Sequence, residues 1–245
     1  MATDKPTDDL YRQHPPDRDF TFNETVARVF DDMLDRSVPC YAEVIDHCAR
    51  LLECFIAPGD TIYDLGCSTG TTLLQLSRLL AGHSLHYIGI DSSSAMIKKA
   101  RSKAAMFSKS DRIRFQRDDI TTIRFSNAGA ILCNYTLQFV RPMIRQEFVR
   151  GLFSSLRDGG ILLLSEKIIC PHPRLNREFI GMHHRFKRER GYSELEIANK
   201  REALENVLIP FTVRENKKLL RQAGFSGVET FFQWFNFVSF VAVKE

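Results

Sequence analysis

Asp64-Leu65-Gly66-Cys67-Ser68-Thr69-Gly70 joins an apolar run, Thr61-Ile62-Tyr63, to a run with helical spacing, Thr71-Thr72-Leu73-Leu74-Gln75-Leu76. An acid followed by small residues at such a junction lets a ligand touch the backbone. Gly66 and Gly70 carry no side chain to block it, and the following helix offers free N–H groups. About 20 residues on, Tyr87-Ile88-Gly89-Ile90-Asp91 reads as a second buried strand ending in a carboxylate, where nucleotide-binding α/β folds hold ribose hydroxyls. Asp119-Ile120 follows a third strand and suits an exocyclic amine beneath an apolar cover, and Asn134 ends a fourth. The turn is no P-loop, because no Gly-Lys-Ser/Thr follows, and Ser68 stands where a dinucleotide turn has glycine. A nucleoside without phosphates therefore fits better than a pyrophosphate. Taken singly, the turn could be a plain βα connection and each of the others a cap or a solvated turn residue. Together at successive strand ends they converge on one crevice.

The elements that must position these residues alternate. Strands are expected near 61–65, 85–90, 112–116, 129–134 and 160–165, with helices between them, which predicts a parallel sheet covered on both faces. Before the first strand, Asn23 caps a helix with Val26, Val29, Phe30 and Met33 on one face, and Pro39 starts another through Phe55. Thr212 with Glu215 forms a capping box for a helix that Gly224 stops. Val228–Gln233 and Phe237–Val243 close the chain, the last as an antiparallel strand beside the parallel set. Residues 1–18, rich in Pro and Asp, read as a mobile tail, leaving 19–245 as one domain.

Residues 170–210 interrupt the alternation with a charged helical insertion over the ligand edge of the sheet. Ser193 and Glu196 form a second capping box, predicting a helix from about Glu194 to Val207. The basic run 185–190 and Tyr192 could attract an anion, although a solvated helix face accounts for most of those charges. His183 and His184 are adjacent, so on a helix they diverge by about 100° and suit surface or inter-helix contacts better than one metal ion.

The chain has 245 residues, 44% of them hydrophobic and 26% charged, which is enough for one well-buried soluble domain. A net charge of +4 is too mild to argue for nucleic-acid binding. No apolar run reaches the ~20 residues of a membrane span and no signal-peptide core is present. The six cysteines, Cys40, Cys48, Cys54, Cys67, Cys133 and Cys170, lack metal-ligand spacing and suit free thiols in a reducing cytoplasm, with no metal expected.

The crevice residues, with Leu156-Arg157-Asp158-Gly159-Gly160 and Leu219-Leu220-Arg221-Gln222-Ala223-Gly224-Phe225, resemble class I S-adenosylmethionine-dependent methyltransferases over roughly 55–170 and 211–245. That resemblance implies a mostly parallel seven-stranded Rossmann-like sheet with helices on both faces, carrying the helical insertion after strand 5. More specific segments are similar to the carboxy-S-adenosyl-L-methionine synthase family. They are Arg36-Ser37-Val38-Pro39-Cys40-Tyr41, Asn134-Tyr135-Thr136-Leu137-Gln138-Phe139, Gly191-Tyr192-Ser193-Glu194-Leu195-Glu196-Ile197, Lys200-Arg201, Leu204-Glu205-Asn206-Val207 and Trp234-Phe235-Asn236-Phe237. The resemblance runs from about Phe20 to the C-terminus. It implies conversion of S-adenosylmethionine and prephenate to carboxy-S-adenosylmethionine and phenylpyruvate. A partner carboxymethyltransferase would then use the product to make 5-oxyacetyl uridine at a tRNA wobble position. It also implies a cytoplasmic homodimer pairing through the insertion, and ligand contacts at Tyr41, Gly66, Cys67, Ser68, Asp91, Ser92, Asp119, Ile120, Asn134 and Arg201. Ser92 departs from the family's usual Asn, which matters only if that contact is made by the side chain.

On the expected helix Arg201 shares a face with Ile197, Leu204 and Leu208 and is predicted to point inward, although an arginine there could equally snorkel or pair with Glu205. An inward guanidinium ~6 Å from a sulfonium would be repelled by roughly 3 kcal/mol at an effective dielectric of ~20. A carboxylate between them reverses that sign, and Arg holds carboxylates bidentately. In the chemistry the resemblance implies, CO2 released from prephenate is captured at the deprotonated methyl carbon, with Arg201 orienting carboxylates and no residue standing out as the base. Two other readings fit the crevice: a methyltransferase acting on a small molecule or tRNA, and a non-enzymic S-adenosylmethionine-binding module.

Overall fold

The computed structural model describes residues 6–12, 19–109 and 111–245. Its strands are β1 (Thr61–Leu65), β2 (His86–Asp91), β3 (Ile113–Arg117), β4 (Ala128–Asn134), β5 (Leu156–Lys167), β6 (Gly227–Trp234) and β7 (Phe237–Val243). They form one sheet in the order β3-β2-β1-β4-β5-β7-β6. Pairings from β3 to β5 are parallel, whereas β7 is antiparallel to both β5 and β6. Every residue of β4 up to Asn134 is buried, as a central strand covered on both faces requires.

The helices are α1 (Glu24–Ser37), α2 (Tyr41–Phe55), α3 (Thr71–Leu79), α4 (Ser94–Met106), α5 (Pro142–Ser155), α6 (Pro173–Glu189), α7 (Glu194–Leu204) and α8 (Val213–Ala223). One face of the sheet packs on α2, α3 and α4 through Ile45, Leu52, Leu73, Leu76 and Ile97. The other packs on α5 and α8 through Phe148, Leu152, Leu219 and Leu220. A third, smaller cluster joins α1 to Phe20, Met96 and Ala203, so α1 caps the C-terminal edge of the sheet rather than either face.

Local signals were accurate where a side chain closes a backbone bond. Asn23 Oδ1 accepts from Val26 N at 3.0 Å, and both expected capping boxes are formed. Gly224 stops α8 at φ +122°. Three boundaries differ. Helix α2 starts at Tyr41, not Pro39, because Cys40 takes a left-handed conformation. Strand β5 begins at Leu156, and the shift of register between Ala128 and Ala130 absorbs its first turn of chain. Helix α7 ends at Leu204, three residues short of Val207.

The expectation of a mobile tail over 1–18 fails for residues 6–12. Asp8 is 2% exposed, its N–H donates to Asp32 Oδ2 at 2.7 Å, and its carboxylate meets Lys200 Nζ at 3.2 Å. Residues 1–5 and 13–18 lie outside the described residues.

Behind β4 a fully buried arginine stitches the edge of the sheet together. Arg145 donates to Val140 O at 2.8 Å, Gln138 O at 3.1 Å and Ile209 O at 2.7 Å, with its guanidinium 4.2 Å from the Phe211 ring centroid. It fixes the loop after β4 to the segment that returns from the insertion. Arg145→Met would strand the carbonyls of Val140 and Ile209, Gln138 O keeping Ile209 N–H at 2.9 Å, and is expected to cost about 3 kcal/mol in urea denaturation. A loss under about 1 kcal/mol would mean that water replaces the guanidinium.

Candidate ligand-binding cavity

At the C-terminal edge of the parallel strands lies a cavity of about 480 Å³. It sits beside β1, whose neighbours β2 and β4 lead the chain away in opposite directions, the switch point where α/β sheets open a crevice. Tyr41, Gly66, Cys67, Ser68, Asp91, Ser92, Asp119, Ile120 and Asn134 all line it. Nine of the ten expected residues are thus brought together.

The turn after β1 is bent by three residues of positive φ: Gly66 (+74°), Ser68 (+48°) and Gly70 (+76°). A Cβ on Gly66 would lie 2.4 Å from Thr136 Oγ1, and one on Gly70 would lie 2.5 Å from Phe115 Cζ. The glycines therefore let the turn pack on β3 and on the loop after β4, which corrects the expectation that both clear space for a ligand. Ser68, left-handed without being glycine, aims its N–H at Asp91 Oδ2 at 2.9 Å. Ser93 N–H donates to Asp91 Oδ1 at 2.8 Å. A carboxylate accepts about four hydrogen bonds, so two positions remain for ribose hydroxyls.

Helix α1 is locked over this turn by one half-buried network. Asp31 Oδ1 accepts from Thr69 Oγ1 at 2.5 Å and Thr71 Oγ1 at 2.9 Å, and Lys103 Nζ lies 3.0 Å from Asp31 Oδ2. Phe22, Phe30 and Met33 are thereby held against the cavity as an apolar roof.

The ligand side of the cavity is unfinished. Both Oδ1 and Nδ2 of Asn134 are buried without a partner among the described residues, as are Asp64 Oδ2 and the Tyr135 hydroxyl. Tyr135 also has φ +56°, a strained setting directly after Asn134. Tyr41 hydrogen-bonds Thr72 Oγ1 at 3.0 Å, which holds its ring at the wall. Asp119 is exposed at the rim, with Oδ1 accepting Thr121 N–H at 2.8 Å, and Ile120 packs inward. These groups fit an adenosyl ligand: hydroxyl acceptors at β2, an amide at β4 and an apolar strip between them. Among the described residues no cluster of His, Cys, Asp or Glu could hold a metal ion. All six cysteines are free, with Cys48, Cys67 and Cys133 buried.

Arg201 is the residue that the structure leaves out. It is exposed and not part of the wall, whereas Lys200 is 4% exposed and lines the cavity. The buried positions of α7 are Glu196, Ile197, Asn199, Lys200 and Ala203, so the helix is turned by one residue from the expected phase. Leu208 does reach the cavity, but from the segment beyond the helix, and so it does not report the helical face.

Sequence reasoning also missed the basic side of the wall. Lys187, assigned with its neighbours to a solvated face, is buried, while Arg185, Arg188 and Arg190 are exposed as expected. Lys167 lines the cavity from the end of β5. His183 is an inter-helix contact: its Nε2 donates to Ser37 O at 2.9 Å, and its ring meets Phe237 edge-on. Burial first, then Lys187 and Lys167, hold that imidazole well below its ordinary pKa and keep it neutral. Tyr192 donates to Asp8 Oδ2 and so serves the N-terminal segment rather than an open surface. The available signal was helical phase, because His183 and Lys187 stand four residues apart on one face of α6.

Gly66→Ala should cost about 2–4 kcal/mol, combining the left-handed backbone with overpacking against Thr136. Adding Thr136→Ala should recover the steric part, leaving about 1 kcal/mol in the denaturation midpoint. An unchanged deficit in the double variant would show that Thr136 is not the obstacle.

Comparison with known proteins places this geometry. Residues 62–160 match the family described as "Methyltransferase domain". The fold is that of class I methyltransferases: human N-acetylserotonin methyltransferase in complex with SAM superposes with a TM-score of 0.62 at 15% identity, over 90% of this chain and 55% of that one. The carboxy-S-adenosyl-L-methionine synthase of Desulfotalea psychrophila is 56% identical over 242 residues, covering 99% of this chain and 98% of the relative. That of Nautilia profundicola is 45% identical, covering 94% of this chain and 97% of its own length. At that identity over nearly full length, the chain belongs to the carboxy-S-adenosyl-L-methionine synthase family, transferases built on the methyltransferase fold.

Proposed function

We propose that the protein makes carboxy-S-adenosylmethionine from S-adenosylmethionine and prephenate, with phenylpyruvate as the other organic product. The observation that carries this reading is the polarity of the cavity. Asp64, Asp91 and Asp119 stand at the ends of β1, at the end of β2 and just beyond β3, and Lys167, Lys187 and Lys200 stand across from them on β5, α6 and α7. Such a cavity suits a cationic sulfonium at one side and an anion at the other. Prephenate loses CO2 and its ring hydroxyl as hydroxide on aromatising. The hydroxide accepts a methyl proton and the CO2 is captured at that carbon, so water leaves with phenylpyruvate.

The chain's own residues bind and exclude water. Asp91 takes the ribose hydroxyls, Asp119 and Ile120 the adenine, and Asn134 with Tyr41 the reactive end. The backbone of Gly66, Cys67 and Ser68 supports the amino-acid end, and Ser92 contributes its backbone, so its departure from Asn costs little. Phe22, Phe30 and Met33 keep water from the captured CO2.

In this reading two chains pair through the insertion, whose α6 leaves Leu175 and Ile180 exposed and carries Phe179 against the exposed Phe235. Arg201 belongs to it only as a group at that paired surface, since in the single chain it lies outside the cavity wall. The protein acts in the cytoplasm and passes its product to a tRNA wobble-uridine carboxymethyltransferase. Among the described residues no helix is long and apolar enough to cross a membrane.

Purified protein given S-adenosylmethionine and prephenate should form carboxy-S-adenosylmethionine and equimolar phenylpyruvate by mass spectrometry. Methyl transfer without carboxylated product would overturn the reading in favour of a methyltransferase. A second test is the pH dependence of binding. Burial first, and Asp91 second, push the Asp64 carboxyl up to about 7. A cationic ligand favours the carboxylate, so binding expels the proton, and affinity for S-adenosylmethionine should rise with pH between about 6 and 8, by up to about tenfold. Calorimetric titration should find that rise flattened in Asp64→Asn.

A further inference from the structure

The basic wall divides into paired and unpaired cations. Lys200 Nζ is met by Asp8 Oδ2 at 3.2 Å, Ser37 Oγ at 3.0 Å and the Tyr192 hydroxyl at 3.4 Å. Arg141, at the rim, donates to Asn206 O at 3.2 Å. Lys167 and Lys187 also line the cavity, yet neither ammonium makes a hydrogen bond or ion pair among the described residues. Lys187 is 8% exposed, and it stands close enough to Lys200 and Lys167 to be repelled by both, while Asp8 attracts it. His183, next to them, is neutral and its N–H is spent on Ser37 O.

Two like-charged ammoniums facing one cavity, on a half-buried Lys167 and a buried Lys187, are costly for a folded chain to keep without counter-charge. Neither ammonium ties down a neighbouring element by a hydrogen bond or ion pair among the described residues. A neutral acceptor, as in ordinary methyl transfer, would leave them uncompensated. A carboxylate would satisfy both with charge-assisted hydrogen bonds.

We propose that Lys167 and Lys187 together hold the carboxylate that the second substrate keeps through the reaction, and so select an anionic co-substrate over neutral ones. This rests on the synthase reading for the identity of that substrate. The retained carboxylate is the one they must hold. A carboxylate about to leave as CO2 gives up its charge in the transition state, so cations gripping it would stabilise the ground state more and slow its loss. The departing group is better placed toward the apolar roof, and the pyruvyl carboxylate toward the lysines.

The experiment compares wild type, Lys167→Met, Lys187→Met and the double variant, each saturated with S-adenosylhomocysteine. Phenylpyruvate is the probe, because it carries only the retained carboxylate, and binding is read by calorimetry. Each single variant is expected to weaken phenylpyruvate about tenfold or more and the double variant further, with S-adenosylhomocysteine affinity held within about twofold. The melting temperature should stay level or rise, since Met relieves uncompensated like-charge repulsion in the cavity; a structural role would lower it. Turnover with prephenate should show the loss mainly in KM. Equal phenylpyruvate affinity in all four proteins, or none in wild type at millimolar probe, would overturn the assignment. Lysine-dependent phenylpyruvate binding without carboxylated product from prephenate would uphold the subsite and refute the synthase reading instead.

Discussion

A charge taken out of water must be met by opposite charge or by hydrogen bonds, and the walls of this cavity are organised by how that requirement is met. Asp91 is met by two backbone N–H groups, Asp31 by Lys103 and two threonines, and Lys200 by Asp8. Those closed pairs fix the turn after β1, the roof helix α1 and the insertion helix α7 relative to one another. Asp64, Asn134, Lys167 and Lys187 are left open. The closed groups are scaffold, and the open ones describe what a ligand has to bring.

The sheet topology explains why both signs of charge meet in one place. Parallel strands β1 to β3 end in acids on one side of the switch point, while β5 and the insertion that follows it supply lysines on the other. An S-adenosylmethionine fold without the insertion would have the first half and only Lys167 of the second. The insertion therefore changes the chemistry of an inherited nucleoside site by adding a cationic face to it, and leaves the strand ends as they were.

Much of the nucleoside half was legible because strand ends are marked locally. Asp91, Asp119 and Asn134 each follow a short apolar run, and the βα turn is marked by Gly66 and Gly70, although what those glycines avoid is protein. The basic half was obscured for two physical reasons. Arg201 came from the resemblance, and the helical phase that supported it rested on few residues of an 11-residue helix, among them Leu208, which lies beyond its end. Lys187 sits in a run of charges that is solvated apart from itself, and only the packing of α6 against α1 and β7 singles it out. Asp8 was invisible because its partners lie 24 to 192 residues away and nothing in its neighbourhood is periodic.

The Asp8–Lys200 pair has a consequence for how the molecule is made. Its partners are separated by 192 residues, so Asp8 leaves the ribosome long before Lys200 exists. At ordinary synthesis rates that wait is roughly ten to forty seconds. The glycine turn and the first strands can be complete during it, while the basic wall cannot close. The acidic side of the cavity can thus form before the Asp8–Lys200 pair, whose closure waits for the insertion to be made.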